Sequence, residues 1–317
     1  MTAFLTSLDL MMKLLMFILL TLAVFPQQKK ICITVDDMPL VSYGIRDTEY
    51  QTQTLQRLMR KLSTANTRAI GFVNEIQLYE DDKLIPYKVK LLEQWLTSGL
   101  EIGNHTFSHP DYNNTDYKDY TANILKGESV IRGICEKHGP SLRYFRHPYL
   151  HVGQTRERAD SLDNFLTAHG YITAPVTIDT DDYLFAFAYH RAFHSDNAEL
   201  AERIGSDYIA YMAQKLTHFE NLSDSLFGRS IAHTLLIHAN LLNADYIDKL
   251  LAVFQDKGYQ FVTLEEALKD ESYATPVTKY GKWGISWIDR WALSAGKKGD
   301  FFSGDPQVPE YVREMAR

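Results

Sequence analysis

The chain has 317 residues, 45% of them hydrophobic and 23% charged, and carries a net charge of -7 at neutral pH. That length supports one large domain or two small ones around a substantial core, and the acidic balance, with no basic stripe to offset it, argues against a nucleic-acid partner. Two cysteines, Cys32 and Cys135, are too few for a disulfide framework and read as packed thiols.

The N-terminus differs in character from the rest of the chain. Lys13 precedes an apolar run from Leu14 to Phe25, too short to span a bilayer comfortably. A basic residue before such a core reads as a secretory signal over residues 1–27, with the mature chain beginning near Pro26. The expected location is therefore periplasmic or secreted, with no membrane span in the mature protein.

Beyond it, apolar strand-like runs recur at 31–35, 69–73, 100–104, 142–145, 172–178, 234–237 and 259–263. Helical stretches separate them at roughly 48–65, 86–98, 116–138, 155–169, 185–220 and 245–257. Leu91, Leu92, Trp95 and Leu96 keep the 3.6 period, and Gly99, Gly170 and Gly258 stand where helices turn into strands. Seven strands alternating with helices mean parallel βα units.

Polar residues stand at the C-terminal ends of these runs: Asp36-Asp37, Asn74, His105, Arg146, Asp179 and His238. In a barrel such ends converge on one mouth, whereas an open sheet gathers only those beside its switch point. The expected fold is an α/β barrel of seven strands, incomplete or distorted, with a long helical insertion at 184–230. Ala201, Ile204, Tyr208, Ile209, Met212 and Leu216 predict one long amphipathic helix there. Past Leu268 the pattern fades into a tail, 271–317, where Trp283, Trp287 and Trp291 fall at i, i+4 and i+8. Their three rings are expected on one helical face, docked on the barrel wall; a sugar-stacking platform is the alternative.

The chemistry concentrates at His105 and His109, which come after a strand-like run and flank Thr106, Phe107 and Ser108. Two imidazoles so placed, with a carboxylate from another strand end, make a three-ligand zinc site with open coordination. Asp36-Asp37 offers two carboxylates, one to bind metal and one to move protons. A second pair, His190 and His194, lacks a third ligand and reads as surface histidines. His147 and His151 read as cleft lining or packing, and Asn74 as a contact to substrate or to the ligands. Sequons begin at Asn104, Asn113 and Asn221, the first of them accidental because it adjoins His105.

Five segments resemble, in order, the motifs of the polysaccharide deacetylase family (carbohydrate esterase family 4). They are TVDDMP (34–39), HTFSH (105–109), RHPY (146–149), DTDDY (179–183) and LIH (236–238). The resemblance implies a distorted seven-stranded barrel over 28–270 that hydrolyses N-acetyl groups of a carbohydrate and releases acetate. It implies Asp37, His105 and His109 as ligands of zinc, with cobalt, nickel or manganese as substitutes. It implies Asp36 as general base paired with Arg146, the Tyr149 backbone N–H as oxyanion donor, His238 as general acid, and Asp179 as the carboxylate orienting that imidazole. Asp182 and Tyr183 are expected to shape the mouth. Met38-Pro39 and Tyr183 depart from the usual glycine and tryptophan, and the 184–230 segment exceeds a minimal domain; all three bear on the rim. An O-deacetylase of acetyl-xylan type, a deacylase acting on non-carbohydrate amides, and a non-catalytic sugar-binding relative are the other readings.

Overall fold

The computed structural model describes residues 28–317, so the expected signal segment 1–27 lies outside the described residues. The strands are β1 (Lys29–Met38), β2 (Ile70–Val73), β3 (Tyr79–Glu80), β4 (Lys83–Leu84), β5 (Glu101–Asn104), β6 (Tyr144–Phe145), β7 (Ile172–Thr173), β8 (His233–His238) and β9 (Tyr259–Phe261). All but the β3–β4 hairpin join one sheet of seven strands, order β7-β6-β5-β2-β1-β8, with β9 beside the start of β1. Every pairing in it is parallel.

One segment closes the sheet on itself. Ile172 and Thr173 pair with β6 at one edge, while Ile178, six residues on, bridges Leu235 of β8 at the other. The result is the distorted barrel expected from the polar strand ends. Along β1, Ile31, Ile33 and Val35 face the helices, whereas Cys32, Thr34 and Asp36 face the interior, as a period of two requires. Cys32 packs there with Ile70, Phe72, Tyr144 and Ala174. Both cysteines are unpaired and buried, as expected of packed thiols.

The helices are α1 (Thr48–Thr64), α2 (Pro86–Thr97), α3 (Tyr117–Lys126), α4 (Ile131–His138), α5 (Arg156–Ala168), α6 (Asp182–His194), α7 (Ala198–Phe227), α8 (Leu241–Asp256), α9 (Leu264–Ala267), α10 (Trp287–Ser294) and α11 (Glu310–Met315). The apolar stripe of α2 is buried at Leu91, Leu92, Trp95 and Leu96, each such side chain contributing about 1.5–3 kcal/mol by leaving water. Two expected helices are divided. The stretch 116–138 breaks after Lys126, and 185–220 becomes two helices because Asn197 caps a new start by accepting from Leu200 N–H.

The tail corrects the expectation of three tryptophans on one face. Only Trp287 and Trp291 lie on α10, both buried, while Trp283 sits before the helix and is 43% exposed. Trp287 N–H donates to Val176 O at 2.6 Å, so the tail docks on the barrel rather than forming a three-ring platform.

Candidate active site and metal centre

Adjacent residues on a regular strand point to opposite faces, yet Asp36 and Asp37 both reach the barrel mouth. The register explains how: Val35 pairs with Gly71 but Met38 pairs with Val73, so β1 carries one extra residue at the two acids. Asp37 takes φ 60, and Gln77 Nε2 donates to its carbonyl at 3.0 Å. The bulge re-aims a carboxylate where an unbroken ladder would have hidden it.

The His105–His109 turn is fixed by local hydrogen bonds. Asn104 Oδ1 accepts from Thr106 N–H at 2.7 Å, and Thr106 Oγ1 accepts from His109 N–H at 3.0 Å. Thr106 and His109 have positive φ, uncommon for side chains with a Cβ. Asn123 of α3 accepts from Phe107 and Ser108 N–H, and a Cβ at Gly127 would collide with the backbone of Thr106 and Phe107. Glycine at 127 thus lets the end of α3 brace the turn. Asn74 Nδ2 donates to His105 O at 2.6 Å, a positioning contact to the backbone. The Asn104 side chain is buried and engaged with Ile124 O and Tyr171 OH, so its sequon is inaccessible.

One ligand atom from each of Asp37, His105 and His109 falls within 4.8 Å of the others. His105 Nδ1–H donates to Arg146 O at 2.8 Å, which leaves Nε2 as the lone-pair nitrogen. Nε2 of both imidazoles lies 3.7 Å from Asp37 Oδ1, too far for a hydrogen bond. Asp37 Oδ1 is buried without a hydrogen-bond partner among the described residues. An orphaned carboxylate oxygen facing two imidazole nitrogens is the arrangement a divalent ion completes. Burial lowers the pKa of both histidines, keeping them in the neutral form a ligand needs. His190 and His194 hold their rings 4.5 Å apart, centroid to centroid, and tilted by 56°, without entering a three-ligand group.

Asp36 stands beside this trio and opposite His238, its register partner across β1 and β8. Burial pushes its pKa up to about 6, against the opposing pull of Arg146 and then His238. Arg146, fully buried, holds its Nη1 3.7 Å from Asp36 Oδ2, donates to Thr34 Oγ1, and lies over the Phe72 ring. The expected pairing with Asp36 is thus electrostatic, without a direct hydrogen bond. Tyr149 comes next in a tight 3₁₀ turn, Pro148–Leu150, with φ 56, and its exposed ring packs 4.5 Å from His109.

The partner of His238 differs from the expected one. Its Nδ1–H donates to Asp182 Oδ1 at 2.7 Å, and its backbone N–H donates to Asp182 Oδ2 at 2.9 Å. Asn243 donates to that same oxygen and to His238 O, and Tyr208 on α7 donates to Asn243. Asp179 lies along the same cleft but makes no contact with the imidazole; burial pushes its pKa up to about 7 despite nearby Lys215. The physical reason is helical direction: Asp182 opens α6 and points back at the strand end, whereas Asp179 precedes the turn. Burial by itself would lower the His238 pKa, but Asp182, then Asp37 and Asp36, raise it to about 10.

Asp36, Asp37, His105, His109, Tyr149, Asp179 and His238 line one cleft of ≈ 780 Å³, with Tyr43, Tyr183 and Phe187 on its rim. His147 and His151 also line it, His151 with its Nδ1 2.6 Å from Asp111 Oδ1. The motifs gave Asp182 only a rim role and gave no site role to Asn243, Tyr208, Thr34 or Asn123. A carboxylate at the first turn of the helix that leaves the fourth motif was the available signal for Asp182.

Residues 24–165 match the family model for polysaccharide deacetylase. The chain is 21% identical over 241 residues to the peptidoglycan-N-acetylglucosamine deacetylase of Bacillus cereus, covering 74% of this chain. That match spans 66% of the relative's length, just under two thirds. Among solved structures, a mutant of a carbohydrate esterase family 4 pseudoenzyme from Bacillus anthracis, with restored enzymatic activity, superposes with a TM-score of 0.50. It has 16% identity and covers 77% of this chain and 69% of that one. The peptidoglycan deacetylase PdaC of Bacillus subtilis gives 22% identity and a TM-score of 0.48 over 78% of this chain and 94% of its own. The family match thus marks a polysaccharide deacetylase domain over residues 24–165, a little under half of the chain.

Proposed function

We propose that the protein is a metal-dependent hydrolase that removes N-acetyl groups from an amino-sugar polymer or oligomer of peptidoglycan or chitooligosaccharide type, releasing acetate. The observation that carries this reading is the pairing of Asp36 and His238 across adjacent strand ends, directly beside the Asp37–His105–His109 trio. The named activity of the Bacillus cereus relative supports the substrate class.

Asp37, His105 and His109 would hold the ion; zinc suits the mixed nitrogen and oxygen set, and cobalt, nickel or manganese could substitute. A divalent ion there supplies Lewis acidity toward water and the acyl carbonyl. Asp36 takes the proton of the attacking water as its oxygen bonds to the carbonyl carbon. The Tyr149 N–H meets the negative charge that develops on the carbonyl oxygen. His238, held protonated by Asp182, gives its proton to the nitrogen as the C–N bond breaks. The products are acetate and a free amine. Export through the N-terminal segment fits a cell-wall polymer as substrate.

Acetate release from N-acetylglucosamine oligomers and from peptidoglycan, measured before and after chelation and after zinc is restored, tests the reading. Metal-restorable release supports it. Undiminished release from thoroughly metal-stripped protein, or none from zinc-loaded protein on any N-acetylated sugar, overturns it.

A further inference from the structure

Behind the cleft lies a second cavity of ≈ 700 Å³, and His147 belongs to the walls of both. It is the residue common to the two linings. His147 is 1% exposed, and its Nδ1 has no hydrogen-bond partner among the described residues. Nε2 meets only the Thr173 hydroxyl, at 3.5 Å. Burial, then Arg290 and Arg146, lower its pKa to about 3, so the ring stays neutral.

The second cavity has a cationic wall. Arg290, 1% exposed, uses Nη2 to donate to Leu150 O and Trp283 O. Its Nε and Nη1 have no acceptor among the described residues. Arg290 and His147 approach the same indole, the guanidinium carbon 5.4 Å and the imidazole centroid 6.5 Å from the Trp287 ring. Arg146, next to His147 in the chain, likewise leaves Nε and Nη1 without an acceptor among the described residues. Arg146 and Arg290 therefore each keep buried donor nitrogens unsatisfied close to His147. Burying such donors unpaired is costly, more so when they are charged. A guanidinium fork matches a planar carboxylate better than any neutral group. Asp163 also lines this cavity, on its exposed side, with its pKa raised by desolvation, then by Asp160.

We infer that this cavity is a chamber for a small carboxylate, anchored by Arg290 and sharing His147 with the catalytic cleft. Resting on the proposed deacetylation, the occupant is the acetate released in the cleft. Arg290 lies in the C-terminal tail, beyond residues 24–165, so the tail would add to the family domain a place for the leaving acid.

A titration of ¹³C-acetate followed by NMR tests this in full-length zinc-loaded protein and in His105→Ala, whose metal centre is dismantled. Saturable acetate binding is expected in both. It should weaken at least tenfold in Arg290→Met and in Val277→Trp, which narrows the chamber. Binding lost in His105→Ala alone, binding unaltered in both chamber variants, or occupancy by chloride in preference to acetate overturns the inference. A wild type that binds acetate at Arg290 yet releases none from N-acetylated sugars would sink the proposed function and leave the chamber standing.

Discussion

His238 and Asp182 are joined twice, ring to carboxylate at 2.7 Å and backbone N–H to the same carboxylate at 2.9 Å. The double attachment fixes the imidazole's tautomer and plane and surrounds it with negative charge, so the His238 pKa rises to about 10 although burial alone would lower it. Protonation is retained well above neutral pH, as donation to a departing amine requires.

Asp182→Asn should bring the His238 pKa down, because the amide keeps the shape but not the charge. Above the new pKa, amide hydrolysis should fall on the order of tenfold per pH unit, since the acid form is titrating away. An NMR titration of His238 alongside the pH–rate profile checks both effects. Asp179→Asn serves as the comparison and should leave the His238 titration near its wild-type value. The opposite result would restore the orienting role to Asp179.

The two adjacent acids separate by metal content. Asp36→Asn should retain bound metal and lose about a hundredfold or more in turnover, because proton abstraction fails while coordination survives. Asp37→Asn should lose the metal. In the wild type, burial raises Asp36 to about 6, so activity should fall as pH drops through that region and the base becomes protonated; a bound cation alongside would shift this limb lower. Elemental analysis of both variants decides the assignment, and metal loss in Asp36→Asn alone would reverse the two roles.

The barrel was legible because strand-like runs recur between helices and five of them lead into a polar residue, a pattern that survives in the structure at Asp36, Asn74, His105, Arg146 and His238. Spacing could not choose between Asp179 and Asp182, since three residues at a strand-to-helix junction turn through most of a circle. The breaks after Lys126 and before Asn197 did carry local signals, Gly127 as a helix stop and Ser195-Asp196-Asn197 as a stop and cap, but the apolar spacing on either side reads on across them. The second cavity was illegible too. His147 is far in sequence from Trp287 and Arg290, and nothing local marks an arginine whose donors will be left unpaired.

Docking of the tail should contribute measurably to stability. Trp291 is buried edge-on against Phe227 and Tyr273, each centroid 5.6 Å away. Trp291→Ala should cost about 3–5 kcal/mol, the usual range for deleting a buried aromatic ring. Trp283→Ala, removing a half-exposed ring, should change stability by less than about 0.5 kcal/mol. Denaturant midpoints at constant slope measure both, and similar costs for the two would revive the exposed three-ring platform.

The tail also touches the Tyr149 turn. Tyr149 and Leu150 both hold positive φ, near 56 and 53, a conformation that side chains with a Cβ adopt only when their surroundings impose it. Arg290 Nη2 anchors Leu150 O at 2.7 Å, and Gly284 packs so closely that a Cβ there would collide with the Tyr149 carbonyl oxygen. Gly284→Ala must therefore shift the turn, and with it the N–H proposed to stabilise the oxyanion. Loss of one such donor typically costs on the order of a hundredfold in kcat, and a displaced donor should cost about ten- to a hundredfold. Because the oxyanion forms with every acyl substrate, the loss should be equal on N-acetylated sugars and on activated aryl acetates, with KM and metal content little changed. Gly133→Ala, a helical site where a Cβ meets nothing within 4 Å, should leave kcat untouched. Wild-type kcat in Gly284→Ala, or a loss confined to amide substrates, would detach the tail from the chemistry.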